Sequence, residues 1–128
     1  MKTIRTPLSN VRGLGSAKTG TRDFVVQRVT GVALIVLLTL FVFIIVALNG
    51  APHAEVVETL ASPLVALIML AGILVTAVHM KVGMQVIIED YVHGELLKVA
   101  ALIGNWVFSW GVALAASFAV LKIAFGGA

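Results

Sequence analysis

Along the chain, three long apolar runs alternate with short polar ones. The first covers about residues 29–48 (VTGVALIVLLTLFVFIIVAL) and has no charge. The second covers about 63–88, with Lys81 its only formal charge and His79 two positions before it. The third covers about 99–125 and is interrupted only by Lys122 near its end. Each is long enough to cross a hydrocarbon core of roughly 30 Å at about 1.5 Å per residue. Backbone groups in lipid must be satisfied within their own segment, so each run reads as a helix. The pattern predicts an all-α membrane protein with three transmembrane helices. A three-helix anchor domain occupies 29–128, and an arm of residues 1–28 precedes it.

The connections are short. The stretch 49–62 (NGAPHAEVVETLAS) carries turn signals at Asn49-Gly50 and Pro52. Ser62-Pro63 fits a helix N-cap followed by proline at the first helical position. The second connection, Glu89 to Lys98, is polar and contains Gly94.

Composition removes the competing classes. Of the 128 residues, 60% are hydrophobic and 12% charged, against about 25% charged in a soluble domain. There is no Cys, which excludes disulfides, thiolate-held iron–sulfur clusters and a thiol nucleophile. The net charge of +3 does not indicate a nucleic-acid partner, because most cations sit in one N-terminal block. Lys2, Arg5, Arg12, Lys18, Arg22 and Arg28 face a single acid, Asp23, within residues 1–28. The first connection has Glu55 and Glu58 but no Lys or Arg. The positive-inside rule then places the N-terminus in the cytoplasm and, after three crossings, the C-terminus in the periplasm. A basic, acid-poor arm also has the composition of a transit peptide. The apolar run after it is too long for a signal core and no A-x-A site follows, so an uncleaved arm on the lipid surface is expected.

Ionisable residues inside a membrane are costly and point to function. His79 lies about nine residues from the cytoplasmic end of its helix, roughly 14 Å by helical rise. Three roles suit it: an interhelical hydrogen bond, metal or haem ligation, or proton relay. At 100° per residue, Gly72, Thr76, Gly83, Val86 and Asp90 fall near its face, whereas Lys81 points roughly opposite. Gly83 could leave room for a flat macrocycle, or Gly72, Thr76 and Gly83 could form a small-residue packing seam. Tyr91 ends this helix either as an interfacial anchor or as a phenol donating to a lipid-soluble carbonyl. Asp90 could fix that phenol or a nearby arginine. Arg28 suits lipid phosphate, or carboxylates such as haem propionates. Trp106 and Trp110 read as packing or lipid-facing residues. No nucleophile–base pair, dinucleotide loop or phosphate loop occurs, so catalysis by the chain alone is not indicated.

The segment from His79 to Tyr91 (HMKVGMQVIIEDY) has the pattern H-x3-G-x6-D-Y. It resembles the second-helix signature of the smaller, D-type hydrophobic membrane anchor subunit of succinate dehydrogenase, respiratory complex II. The stretch from Arg12 to Gly20 (RGLGSAKTG), with Gln27-Arg28-Val29-Thr30, is similar to the arm and first-helix start of alphaproteobacterial members. The resemblance implies that His79 supplies one axial ligand to haem b, shared with a larger C-type cytochrome b anchor. It implies that Tyr91 hydrogen-bonds ubiquinone, that Asp90 supports that site, and that Arg28 lies near the propionates and quinone. A flavoprotein and an iron–sulfur subunit would complete the complex in the bacterial inner (plasma) membrane. Lys81 departs from the apolar or aromatic residue expected there. Two other classes stay open: a structural or assembly protein whose His79 is merely packed and binds no cofactor, and a small proton-relay or transport subunit.

Overall fold

The computed structural model of the chain describes residues 6–12 and 18–126. Lys2, Arg5 and the glycine-rich stretch 13–17 of the arm lie outside the described residues. All the elements found are helices: α1 (Pro7–Val11), α2 (Lys18–Ala47), α3 (His53–Ala61), α4 (Pro63–Tyr91) and α5 (Glu95–Ala124). Three of them, α2, α4 and α5, are long and apolar enough to cross a membrane, as the apolar runs predict.

The helices outrun the apolar segments that signal them. Helix α2 begins at Lys18, although its apolar run opens only at Val29. Its 30 residues and the 29 of α4 each give roughly 45 Å of helix at about 1.5 Å per residue. That length matches a whole bilayer, headgroups included, rather than its hydrocarbon alone. Arg22 and Arg28 therefore ride on helical turns at the headgroup level. Helix α4 likewise continues to Tyr91, and only Val92, His93 and Gly94 separate it from α5.

The first connection holds a helix that hydropathy did not signal. After α2, Gly50 adopts φ +81°, a left-handed turn that a side chain would strain. Helix α3 then turns Val56, Val57 and Leu60 inward and leaves His53, Glu55 and Glu58 exposed. It packs on α4 and α5. Ser62 is both the C-cap of α3 and the N-cap of α4. Its N–H donates to the Thr59 carbonyl (3.2 Å) and its carbonyl accepts from Ala66 N–H (2.9 Å). Pro63 follows at the first position of α4, where no N–H is needed.

Helix α4 lies between α2 and α5, which do not pack on each other. The tightest part of the bundle is the α4–α5 seam. Ala77 on α4 and Ser109 and Ala113 on α5 are all buried there. Small side chains let two backbones approach closely, and in lipid that packing replaces the hydrophobic drive. Asn105 Nδ2 donates to the Lys81 carbonyl of α4 (2.9 Å), and Ser109 Oγ donates to Asn105 Oδ1 (3.4 Å). The expected seam of Gly72, Thr76 and Gly83 is not the one formed: nothing approaches Gly72 and Thr76 is exposed. Large apolar side chains such as Val32, Ile35, Phe43, Leu114 and Phe118 face outward, as surfaces for lipid or further helices do.

Candidate functional site

His79 lies at the α2–α4 contact, and α2 supplies both of its partners. Thr30 Oγ1 lies 3.0 Å from His79 Nδ1. Gln27 Nε2 lies 3.2 Å from His79 Nε2. The two residues are nearly one turn apart on α2, so they bracket one imidazole. Gly31, beside Thr30, faces the same ring: a Cβ there would lie 3.5 Å from His79 Cε1, an ordinary contact distance. Gly83, one turn from His79 on α4, plays a different part from the one expected. A Cβ on Gly83 would come within 3.0 Å of the Gln27 amide nitrogen. Its missing side chain thus leaves space for Gln27 as it stands.

His79 faces a cleft of about 670 Å³ between α2 and α4, with Arg28, Gly31, Val32, Val86 and Glu89 along its walls. Arg28 reaches over the Phe24 ring, 5.1 Å from its centroid, a cation–π contact between two residues of the cleft wall. The structure thus brings Arg28 and His79 to one cleft. Gln27 Oε1 is buried beside them without a hydrogen-bond partner.

Asp90 and Tyr91 are at the same end of the bundle but not in this cleft. Glu89 lines it instead, and its carboxylate accepts from Gln85 Nε2 (2.9 Å). Asp90 and Tyr91 are exposed, Tyr91 to 77%. The helix end that carries them is held in place. Lys98 Nζ donates to the Glu89 carbonyl (2.6 Å), and His93 Nδ1–H donates to the Tyr91 carbonyl (2.9 Å). These two bonds occupy carbonyls that a helix C-terminus otherwise leaves open.

Lys81 faces away from His79, as helical spacing predicts. It lines a second cleft of about 690 Å³ with Arg22, Asp23, Gln85, Glu89, Trp106 and Trp110. Gln27, Thr30 and Gly31 were not singled out as neighbours of His79 from the sequence. One signal was present: polar and glycine residues in a Gln-x-x-Thr-Gly run just where α2 enters its apolar stretch. No group of three or more His, Asp or Glu that could hold a metal occurs among the described residues. His79 therefore offers a single imidazole.

A family model described as the succinate dehydrogenase/fumarate reductase transmembrane subunit matches residues 2–121. The chain belongs to this family. The succinate dehydrogenase hydrophobic membrane anchor subunit of Paracoccus denitrificans is 34% identical over 121 residues, 94% of this chain and 93% of the relative. That of Rickettsia bellii is 26% identical over 106 residues, 83% of this chain and 85% of the relative. No solved structure matches the chain. The resemblance read from His79, Gly83, Asp90 and Tyr91 is thereby borne out at the level of the family. With its three apolar helices, the chain is a multi-pass membrane anchor of the bacterial inner membrane.

Proposed function

We propose that this anchor is the smaller membrane subunit of a succinate:ubiquinone oxidoreductase, giving one axial ligand to haem b and part of the ubiquinone site. The observation that carries this reading is His79 and Arg28 lining one α2–α4 cleft. The donor set fits such a group. An imidazole is a haem ligand, a guanidinium pairs carboxylates such as propionates, and Gly31 keeps the wall beside the imidazole low. The second axial ligand would come from a larger C-type anchor packed on the same cleft. A flavoprotein and an iron–sulfur subunit would dock at the end carrying Tyr91, and the charge of the arm puts that end in the cytoplasm.

Haem b, when bound, supplies a one-electron carrier and a cross-link between the two anchors. Quinone reduction to quinol takes up two electrons and two protons. Tyr91 O–H donates a hydrogen bond to one quinone carbonyl, which withdraws charge from it and orients it for protonation. Asp90 sits beside Tyr91 as an acceptor that can hold the phenol or a partner's cation. The exposed rim at Asp90 and Tyr91 suits a site completed by other subunits.

A packed histidine with no cofactor is the competing reading. It is favoured by both ring nitrogens having partners. It leaves unexplained the open cleft beside the ring, lined by Arg28 together with Asp23 and Glu89, and the unpartnered Gln27 Oε1.

The test is purification of the complex through a tag on this chain, with Tyr91→Phe alongside the parent. A flavoprotein, an iron–sulfur protein and a second anchor should copurify. Succinate-to-quinone activity should fall about 10-fold or more in Tyr91→Phe, with succinate oxidation by a soluble dye unchanged. Unchanged quinone activity would reject the role of the phenol, and purification of the chain alone would reject the complex.

A further inference from the structure

The hydrogen bonds around His79 do more than satisfy it; they choose its tautomer. A neutral imidazole has one N–H and one lone pair, and the partner of each nitrogen decides which is which. Thr30 has a single hydroxyl hydrogen. Its shortest contact is to the Val26 carbonyl at 2.7 Å, an i−4 bond within α2. With the hydrogen committed there, Thr30 Oγ1 meets His79 Nδ1 at 3.0 Å as an acceptor. Nδ1 therefore carries the proton, and Nε2 carries the lone pair. The other side agrees: Gln27 Nε2, an N–H₂ donor, faces His79 Nε2 at 3.2 Å.

We infer that Thr30 is a positioning residue for His79, fixing its Nδ1–H tautomer so that the Nε2 lone pair is the one available to a metal, and that Gln27 competes for that lone pair. Thr30 does this through its fixed place on α2: its own hydrogen bond to Val26 locks the hydroxyl's direction. An iron bound at Nε2 would use the lone pair that the Gln27 amide now occupies, so the two are exclusive. The Gln27 amide fits closely against Gly83, and the open cleft that Gln27 also lines is the direction in which it would turn aside. A hydrogen bond from Nδ1–H to an acceptor also raises the basicity of a ligating histidine. The value of the tautomer to a cofactor rests on the haem reading above; the tautomer itself does not.

The experiment has two arms. In the first, the full-length chain is labelled with ¹⁵N-histidine in detergent micelles without haem, and the ring nitrogens of His79 are assigned by difference from His79→Gln. His79 should be the Nδ1–H tautomer, should lose that preference in Thr30→Val, and should keep it in Thr30→Ser. An Nε2–H tautomer in the parent, or an unchanged spectrum in Thr30→Val, would overturn the inference.

In the second arm, haem retention and the low-spin signal are measured in the purified complex. Thr30→Val should weaken haem retention about 10- to 100-fold, Thr30→Ser should restore it, and Gln27→Ala should retain haem at least as well as the parent. Parent-like retention and signal in Thr30→Val would overturn the link from tautomer to metal. A haem signal unaltered in His79→Gln would overturn the ligand reading, with the tautomer judged by the first arm.

Discussion

The two faces of α4 meet their neighbours by different chemistry. Toward α5 it presents Ala77 to Ser109 and Ala113, all 5% exposed or less. Toward α2 it presents His79 and Gly83 to Gln27, Thr30 and Gly31, with a cleft of about 670 Å³ alongside. The first contact is made by small side chains, with the Asn105–Lys81 hydrogen bond beside them and a smaller apolar cavity of about 280 Å³ along its edge. The second is polar and open, with hydrogen-bonding groups that no packing requirement explains. One helix thus separates a structural side from a chemical side. In lipid, where apolar residues do not by themselves drive helices together, such a division assigns stability to the α5 side and the proposed site to the α2 side.

Substitutions on the two sides should accordingly separate haem content from stability. Arg28→Ala should reduce haem retention about 10- to 100-fold, the scale of a charge-assisted hydrogen bond of about 1.5–3 kcal/mol. Arg28→Lys should recover part of it, and the melting temperature of the haem-depleted complex should match that of the parent depleted the same way. Ala113→Leu should do the reverse. Overfilling the α4–α5 seam costs about 1–3 kcal/mol, read as a lower unfolding midpoint in detergent, with the haem spectrum unchanged in the folded fraction. A spectral change equal to that of Arg28→Ala would erase the distinction between the faces. The smallest effect belongs to Asn105→Leu. It removes the interhelical bond to the Lys81 carbonyl and the acceptor of Ser109 Oγ, together worth about 1 kcal/mol in a membrane. A loss of several kcal/mol would mean that the α4–α5 seam depends on polar bonds rather than close packing.

Much of the architecture was legible because its signals are local. Apolar length alone marks α2, α4 and α5, and Ser62-Pro63 marks the start of α4. Helical spacing alone sends Lys81 to a different cleft from His79. Two features hid for physical reasons. The start of α2 at Lys18 is polar, and hydropathy cannot tell a helical turn at the headgroups from an irregular arm. Helix α3 is short, flanked by turn residues and only half apolar, so its sequence reads as a loop.

The site divides the same way. His79 announces itself as an ionisable residue in an apolar run. Gln27 and Thr30 lie 52 and 49 positions away, and only the packing of α2 on α4 brings them to it. Arg28, Asp90 and Tyr91 share one end of the bundle, as topology implies. Sharing an end is not sharing a cleft: the last turn of α4 points Glu89, not Asp90, toward Arg28. A count of 100° per residue places a face only to within a residue or so over three turns, and that error is enough to exchange neighbours.

The most direct measurement is the reduced-minus-oxidised absorbance and electron paramagnetic resonance of the purified complex, with and without His79→Ala. The account predicts a b-type, low-spin signal in the parent and its loss, or conversion to a high-spin or differently ligated form, in the variant. A b-type signal of the same amplitude and spin state in His79→Ala would contradict it.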